Sequence, residues 1–179
     1  MKVLIALAAV ALVAAGWYGG PLVHPTSAPS ARPLAWRPVT TAIGPRAFSA
    51  TQLRAEALAL GEPVYWVGPA TGNRYEFTRT SSGYVFVRYL PQGFRAGAPG
   101  AHFLVIATYP FPYAYKSLRH LAHERGVVGP GGSFIYPRPD DSRSVLMAFP
   151  RVPYEIEVYA PRSALALQVV ESGLVRPVG

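Results

Sequence analysis

The chain has no cysteine among its 179 residues. Disulfides are therefore excluded, and so is a lipoprotein anchor, which needs a cysteine at its cleavage point. Acidic residues are scarce: nine against seventeen Lys and Arg, a formal net charge of +8. The chemical signatures of the commoner enzymes are missing too. There is no His-Glu-x-x-His metal pattern. The Gly-rich segment "GPGGSF" (129–134) lacks the Lys-Ser/Thr of a phosphate loop, and Ser133 lacks the Gly-x-Ser-x-Gly frame of a nucleophile elbow. No cofactor, metal or catalytic residue is expected from motifs, and the segment reads as a flexible loop.

The basic excess points to partners. Fifteen of the seventeen basic residues are arginine, spread from Arg32 to Arg176 without a run. Nucleic-acid binders gather their charge on one face, so no nucleic-acid partner is expected. A field of this sign suits an anionic polymer, a lipid headgroup or a membrane protein of the cell envelope. The alternative is a solvated basic surface with no dedicated partner.

The longest apolar run lies at the start. Lys2 precedes thirteen residues, "VLIALAAVALVAA", without a charge or a polar group, and the uncharged stretch continues to Val23. A basic start, an apolar core and a small-residue exit at Val13-Ala14-Ala15 describe a secretory signal peptide. A span of about 20 residues also suffices for an uncleaved transmembrane anchor, with Trp17 and Tyr18 at the interface. Arg32 and Arg37 on the far side fit the positive-inside rule poorly, which keeps cleavage open. Both readings place the remainder outside the cytoplasm, either at the cell membrane as an extracytoplasmic domain or secreted after signal cleavage. Residues 24–47 are a Pro-rich linker, with proline recurring amid Ser, Thr and Ala.

Residues 48–179 carry the folding pattern. Ser49 and Gln52 make a capping box, Phe48 and Leu53 a hydrophobic staple, and Gly61 a left-handed stop, so a helix is predicted over about 50–60. The runs "PVYWVG", "RYEFTRT", "YVFVRYL" and "HFLVIATY" follow, short and rich in β-branched and aromatic residues, as strands are. A second helix is predicted in "PYAYKSLRHLAHERG", with Ala114, Leu118, Leu121 and Ala122 inward and Gly126 closing it. Then come "SFIYP", "SVLMAFP" and "YEIEVYA", and a last helix from Pro161 to Gly173. Strands in runs predict an α+β domain with a mostly antiparallel sheet of about 6–7 strands and three helices, preceded by the N-terminal hydrophobic helix. A faint echo links "LRAEALALG" to "LRHLAHERG", and "VYWVGP…YEFTRT" to "VLMAFP…YEIEVY"; duplication and shared strand composition both explain it.

In "YEFTRTSSGYVFVRY" a three-residue loop, Ser81-Ser82-Gly83, puts glycine on the left-handed position of a bulged turn. Thr80 then faces Tyr84, and Glu76 faces Arg88. Tyr75, Phe77, Val85, Val87 and Tyr89 share one face, with Arg79 at its rim. Glu76, Thr78, Thr80, Tyr84, Phe86 and Arg88 share the other. Tyr84 and Phe86 are large for a polar face; they sit under a helix or line a ligand groove. On the second helix Lys116, Arg119, His120 and His123 lie off the apolar stripe. Asp140 and Asp141 read as turn formers.

The phrases "PVYWVGPATGNRYEFTRT", "VRYLPQG", "TYPFPYAY" and "YEIEVYAP" resemble a group of uncharacterised actinobacterial proteins. Those join an N-terminal hydrophobic segment to a small extracytoplasmic domain bearing Val-Tyr-Trp-x-Gly-Pro and Tyr-x-x-Thr-Arg. The resemblance covers roughly residues 48–179 and implies envelope location without implying an activity. The function expected is a non-enzymatic, envelope-associated binding module whose ligand-binding residues are Tyr84, Phe86, Arg88, Lys116, Arg119 and His120. The alternative is a cell-wall or glycan hydrolase using Glu76, His102 and Asp141.

Overall fold

The computed structural model describes residues 41–121 and 125–179. The hydrophobic leader, Trp36 and most of the linker lie outside them, as do Ala122 and His123.

Strand β1, Ile43–Phe48, opens the described chain. All of it but Phe48 falls within the segment expected to be linker, because Gly44 and Pro45 do not look like strand residues. Pro45 is tolerated there because β1 is an edge strand with an irregular register between Ile43 and Arg46. Helix α1, Ala50–Leu60, has the predicted ends. The Ser49 hydroxyl accepts from the Gln52 N–H, the Gln52 side chain accepts from the Ser49 N–H, and Gly61 closes the helix at φ +67°. Strand β2, Tyr65–Trp66, is short and leaves the main sheet to pair with β10, Arg176–Pro177. Strands β3 (Asn73–Arg79), β4 (Val85–Pro91) and β5 (Val105–Pro110) precede helix α2, Ala114–Leu121. Then come β6 (Val127–Val128), a 3-10 turn at Pro130–Gly132 in place of the expected loop, and β7 (Phe134–Pro137). Strands β8 (Ser144–Ala148) and β9 (Tyr154–Tyr159) lead to α3, Ser163–Glu171.

The domain is α+β, with three helices and an antiparallel sheet of eight strands in the order β1-β3-β4-β5-β9-β8-β7-β6. The two echoed segments occupy different places. "VYWVGP" forms β2 in the small sheet, whereas "VLMAFP" forms β8 in the large one. The helix behind each echo also covers a different face. Leu53 and Ala57 of α1 join Ala166 and Val170 of α3 over Tyr75, Phe77, Val87, Ile106, Met147 and Ile156. Ala114 and Leu118 of α2 pack instead on Phe134, Tyr136, Leu146 and Ala148. Alternation along each strand sends these two sets to opposite sides of the sheet.

The hairpin register is as predicted. Glu76 pairs Arg88, Phe77 pairs Val87, and Tyr75 pairs Tyr89. Thr80 N–H donates to the Tyr84 carbonyl at 2.9 Å, and Gly83 takes φ +76°. Its apolar face lies under α1 and α3; its other face belongs to the side that α2 partly covers. The "VYWVGP" phrase is a packing device. Trp66 is buried edge-on against Tyr75 and lies under the Arg54 guanidinium. The Tyr89 hydroxyl accepts from Val67 N–H at 2.8 Å and donates to the Gly68 carbonyl at 2.9 Å. Among the described residues no helix is long and apolar enough to cross a membrane.

Candidate functional site

The second face of the sheet carries the polar chemistry. Two of the six residues expected at a site, Phe86 and Arg88, lie on β4, and Tyr84 stands just before it. Arg88 is buried there in an ion pair: its Nη2 is 2.5 Å from Glu76 Oε2, with the two side chains only 4% and 1% exposed. Glu76 Oε2 also accepts from Gly97 N–H at 2.7 Å, and Arg88 Nη1 donates to the Ala98 carbonyl at 2.7 Å. The guanidinium lies over the ring of Phe103. Arg88 thus clamps the loop between β4 and β5 onto the sheet. Phe86 is buried and Tyr84 half-buried, and both meet Tyr109 edge-on at ring-centroid distances of 6.1 and 5.0 Å.

Lys116, Arg119 and His120 stand on the exposed side of α2. The packing of Ala114 and Leu118 on the sheet turns them outward. Arg119 lies 5.9 Å from the ring of Tyr115, and exposed Tyr113 and Leu121 flank the basic face at its two ends. No ion pair joins these three residues to a carboxylate among the described residues. The structure therefore separates the six residues into a buried or half-buried set at β4 and the turn before it, and a solvent-facing set on α2.

The residues suspected for hydrolysis do not converge. Glu76 is held by Arg88, and His102 is exposed beside Gly100. Asp141 shapes its own turn, accepting from the N–H of Arg143 at 3.0 Å and from its guanidinium at 3.3 Å. Asp140 forms a two-pronged pair with Arg138, at 3.1 and 2.5 Å, which holds its carboxyl below the usual carboxylate range.

Sequence reasoning missed the middle of this face. Tyr109 of β5 pairs Glu155 of β9 in the ladder, and Ala107 pairs Glu157. Residues two apart share a face, so Glu155, Glu157, Ala107 and Tyr109 lie together beside Tyr84 and Phe86. The Tyr109 hydroxyl donates to Glu157 Oε2 at 2.7 Å. The Ser144 hydroxyl donates to Glu157 Oε1, which also lies 3.6 Å from Arg138 Nη1. Burial, then the charge of Glu157, push the Tyr109 hydroxyl well above its ordinary pKa. Glu155 is only 6% exposed. Burial first and Glu157 second raise its carboxyl from 4.5 to about 7, against the pull of Arg138. One signal could have found this cluster: two of the nine acids stand two apart inside the apolar strand "YEIEVY".

Fold and site together define a two-faced α+β domain, one face a continuous apolar core and the other an ion-paired polar layer with a basic helix at one end. No family model, curated protein or solved structure matches the chain. Among the described residues no group of three His, Cys, Asp or Glu could hold a metal ion.

Proposed function

We propose that the protein is a non-enzymatic, envelope-associated extracytoplasmic binding module, held at the cell membrane by its hydrophobic leader or secreted once that leader is cleaved. The outer face of α2 engages a phosphate-bearing anionic partner, a polymer or a lipid headgroup. The observation that carries this reading is the row Lys116, Arg119 and His120 on one helix face, with no ion pair to a carboxylate among the described residues. Elsewhere five of the nine acids are consumed locally: Glu62, Glu76, Asp140, Asp141 and Glu157 all pair with arginines. Cations left without counter-ions attract an extended polyanion over about a Debye length, roughly 10 Å at 0.1 M salt.

The test uses the full-length chain in neutral detergent micelles, titrated with poly(glycerol phosphate) and, separately, with phosphatidylglycerol added to the micelles. Wild type is expected to bind one or both, and the Lys116→Ala/Arg119→Ala/His120→Ala variant to lose that binding while keeping its melting temperature. Response to the polymer alone identifies a wall-type partner, and response to the lipid alone a membrane surface. Equal binding by the variant would overturn the reading.

A further inference from the structure

We propose that the outer face of α2 docks on an anionic lipid bilayer: Lys116, Arg119 and His120 meet the lipid phosphates, while Tyr113, Leu121 and Val128 enter the headgroup layer around them. The inference rests on the reading of α2 as a polyanion surface, and it commits that surface to one partner.

The cations alone do not choose a partner. Any dense array of phosphates satisfies them, whether a soluble polymer or a membrane carries it. What chooses is the apolar rim. Tyr113 stands one residue before α2 and is 67% exposed; Leu121 is the last residue of the helix and is 40% exposed. At the rise of an α-helix they lie roughly 12 Å apart, one at each end of the row. The third member comes from the sheet. Val128 of β6 is 71% exposed. It pairs Phe134 of β7, so it points to the same side of the sheet as Phe134, the side on which Ala114 and Leu118 pack. Phe134 meets the ring of Tyr115 edge-on at 6.4 Å, and the Arg119 guanidinium lies 5.9 Å from that same ring. Val128, Phe134, Tyr115 and Arg119 thus follow one another from the edge of the sheet to the basic row.

Three kinds of partner meet such a surface differently. A soluble polyanion neutralises the row and leaves Tyr113, Leu121 and Val128 in water. A second copy of this chain, docked by the same face, covers the apolar side chains but sets Lys116 and Arg119 against their own copies, and like charges in an interface are costly. The boundary layer of an anionic bilayer offers both complements: phosphates at the surface and, within about 5–10 Å, the acyl chains that receive apolar side chains. Tyrosine is favoured at that depth, where its ring is shielded and its hydroxyl stays wet. Long basic side chains reach back to the phosphates from the same depth. Residues 24–40 span at most roughly 60 Å when fully drawn out. A leader retained in a bilayer therefore holds this face within reach of that bilayer, and tethering makes a modest surface sufficient.

The absence of native cysteine makes an introduced one the sole thiol for a spin label. Full-length chains carry Tyr113→Cys, Val128→Cys or, on α1 at the other side of the sheet, the equally exposed control Leu58→Cys. Each is labelled with a nitroxide, verified as folded by circular dichroism, and reconstituted in nanodiscs, which leave both leaflets open to solution. The discs are phosphatidylcholine alone, or two parts phosphatidylcholine to one part phosphatidylglycerol. Collision with a water-soluble nickel chelate and with oxygen reports depth. In phosphatidylglycerol discs the labels at 113 and 128 are expected to lose nickel access severalfold and to gain oxygen access, with the label at 58 unchanged. In phosphatidylcholine discs all three labels are expected to stay aqueous, and so are they in phosphatidylglycerol discs once Lys116→Ala/Arg119→Ala/His120→Ala is added. Nickel access at 113 and 128 equal to that at 58 in phosphatidylglycerol discs would overturn the docking. Protection that is the same in both discs, or that survives the triple replacement, would overturn it too. Poly(glycerol phosphate) binding in micelles would then leave the polyanion reading standing, whereas failure of the polymer as well would remove both.

Discussion

The carboxylate of Glu76 and the guanidinium of Arg88 meet across β3 and β4 at 2.5 Å with almost no exposure. Further bonds run to Gly97 and Ala98, so one ion pair fixes both a hairpin register and the loop above it. Breaking a buried pair from one side leaves a charge without compensation, at a cost of about 3–5 kcal/mol. Glu76→Gln and Arg88→Met are each expected to destabilise by about that much in urea unfolding. The double replacement Glu76→Leu/Arg88→Met is expected to recover most of the loss, because it removes both charges and keeps the volume. A double variant as unstable as the worse single one would show that the loop's backbone bonds, not charge balance, set the cost.

Tyr89 ties a core strand to the turn after β2. Its hydroxyl serves both Val67 N–H and the Gly68 carbonyl, and burial, partly relieved by the Val67 bond, raises its pKa above the ordinary 10. Tyr89→Phe keeps the ring and orphans two backbone groups, at a cost of about 1–3 kcal/mol. Hydrogen exchange is the discriminating measurement. The Val67 amide is expected to lose protection well before those of β3 do, since the main sheet keeps its own ladder.

These two examples mark what could be read from the chain. The register of Glu76 on Arg88 and the ends of α1 are set by residues within about a dozen positions of each other, through turn and cap chemistry with few alternatives. Strand β1 could not be read that way. Gly44-Pro45-Arg46 has no strand propensity of its own and is ordered by pairing with β3 some thirty residues later. The partner of β2 lies at the far end of the chain, at Arg176 and Pro177, and nothing local announces it. The acids of "YEIEVY" alternate like the outer face of a half-exposed strand. Their burial depends on Tyr109, Ser144 and Arg138, contributed by three other segments. The α2 cations were legible because helical periodicity alone sorts Ala114 and Leu118 from Lys116, Arg119 and His120.

Leu118 anchors α2, fully buried among Phe134, Tyr136, Leu146 and Ala148. Leu118→Ala is expected to cost about 2–5 kcal/mol through lost apolar burial and the cavity left behind. It also loosens the platform that presents the basic face. Affinity for poly(glycerol phosphate) is therefore expected to fall although no charge is removed, whereas Ser117→Ala, on a half-buried flank of the same helix, is expected to leave it unchanged. In wild type, raising salt from 50 to 200 mM weakens the association, as screening of exposed charges requires. Salt-independent binding would locate the contact on the apolar residues instead.

Glu155 gives the domain a pH dependence whose sign is fixed. Its folded-state pKa, about 7, lies above the ordinary 4.5 because burial and the charge of Glu157 outweigh the pull of Arg138. Between those values the folded chain holds a proton that the unfolded chain has released. The contribution is therefore fully present below about pH 4.5, declines as pH rises, and is lost above about 7. Glu155→Gln removes the titration. At pH 8 the variant is expected to be more stable than wild type by an amount on the order of 3 kcal/mol, and near pH 4.5 the two are expected to converge. Denaturant midpoints of both chains measured across this range, in sodium salts free of amines, test the point. A constant difference between the two curves would mean that Glu155 keeps its ordinary acidity and that its carboxylate stays hydrated in the folded state.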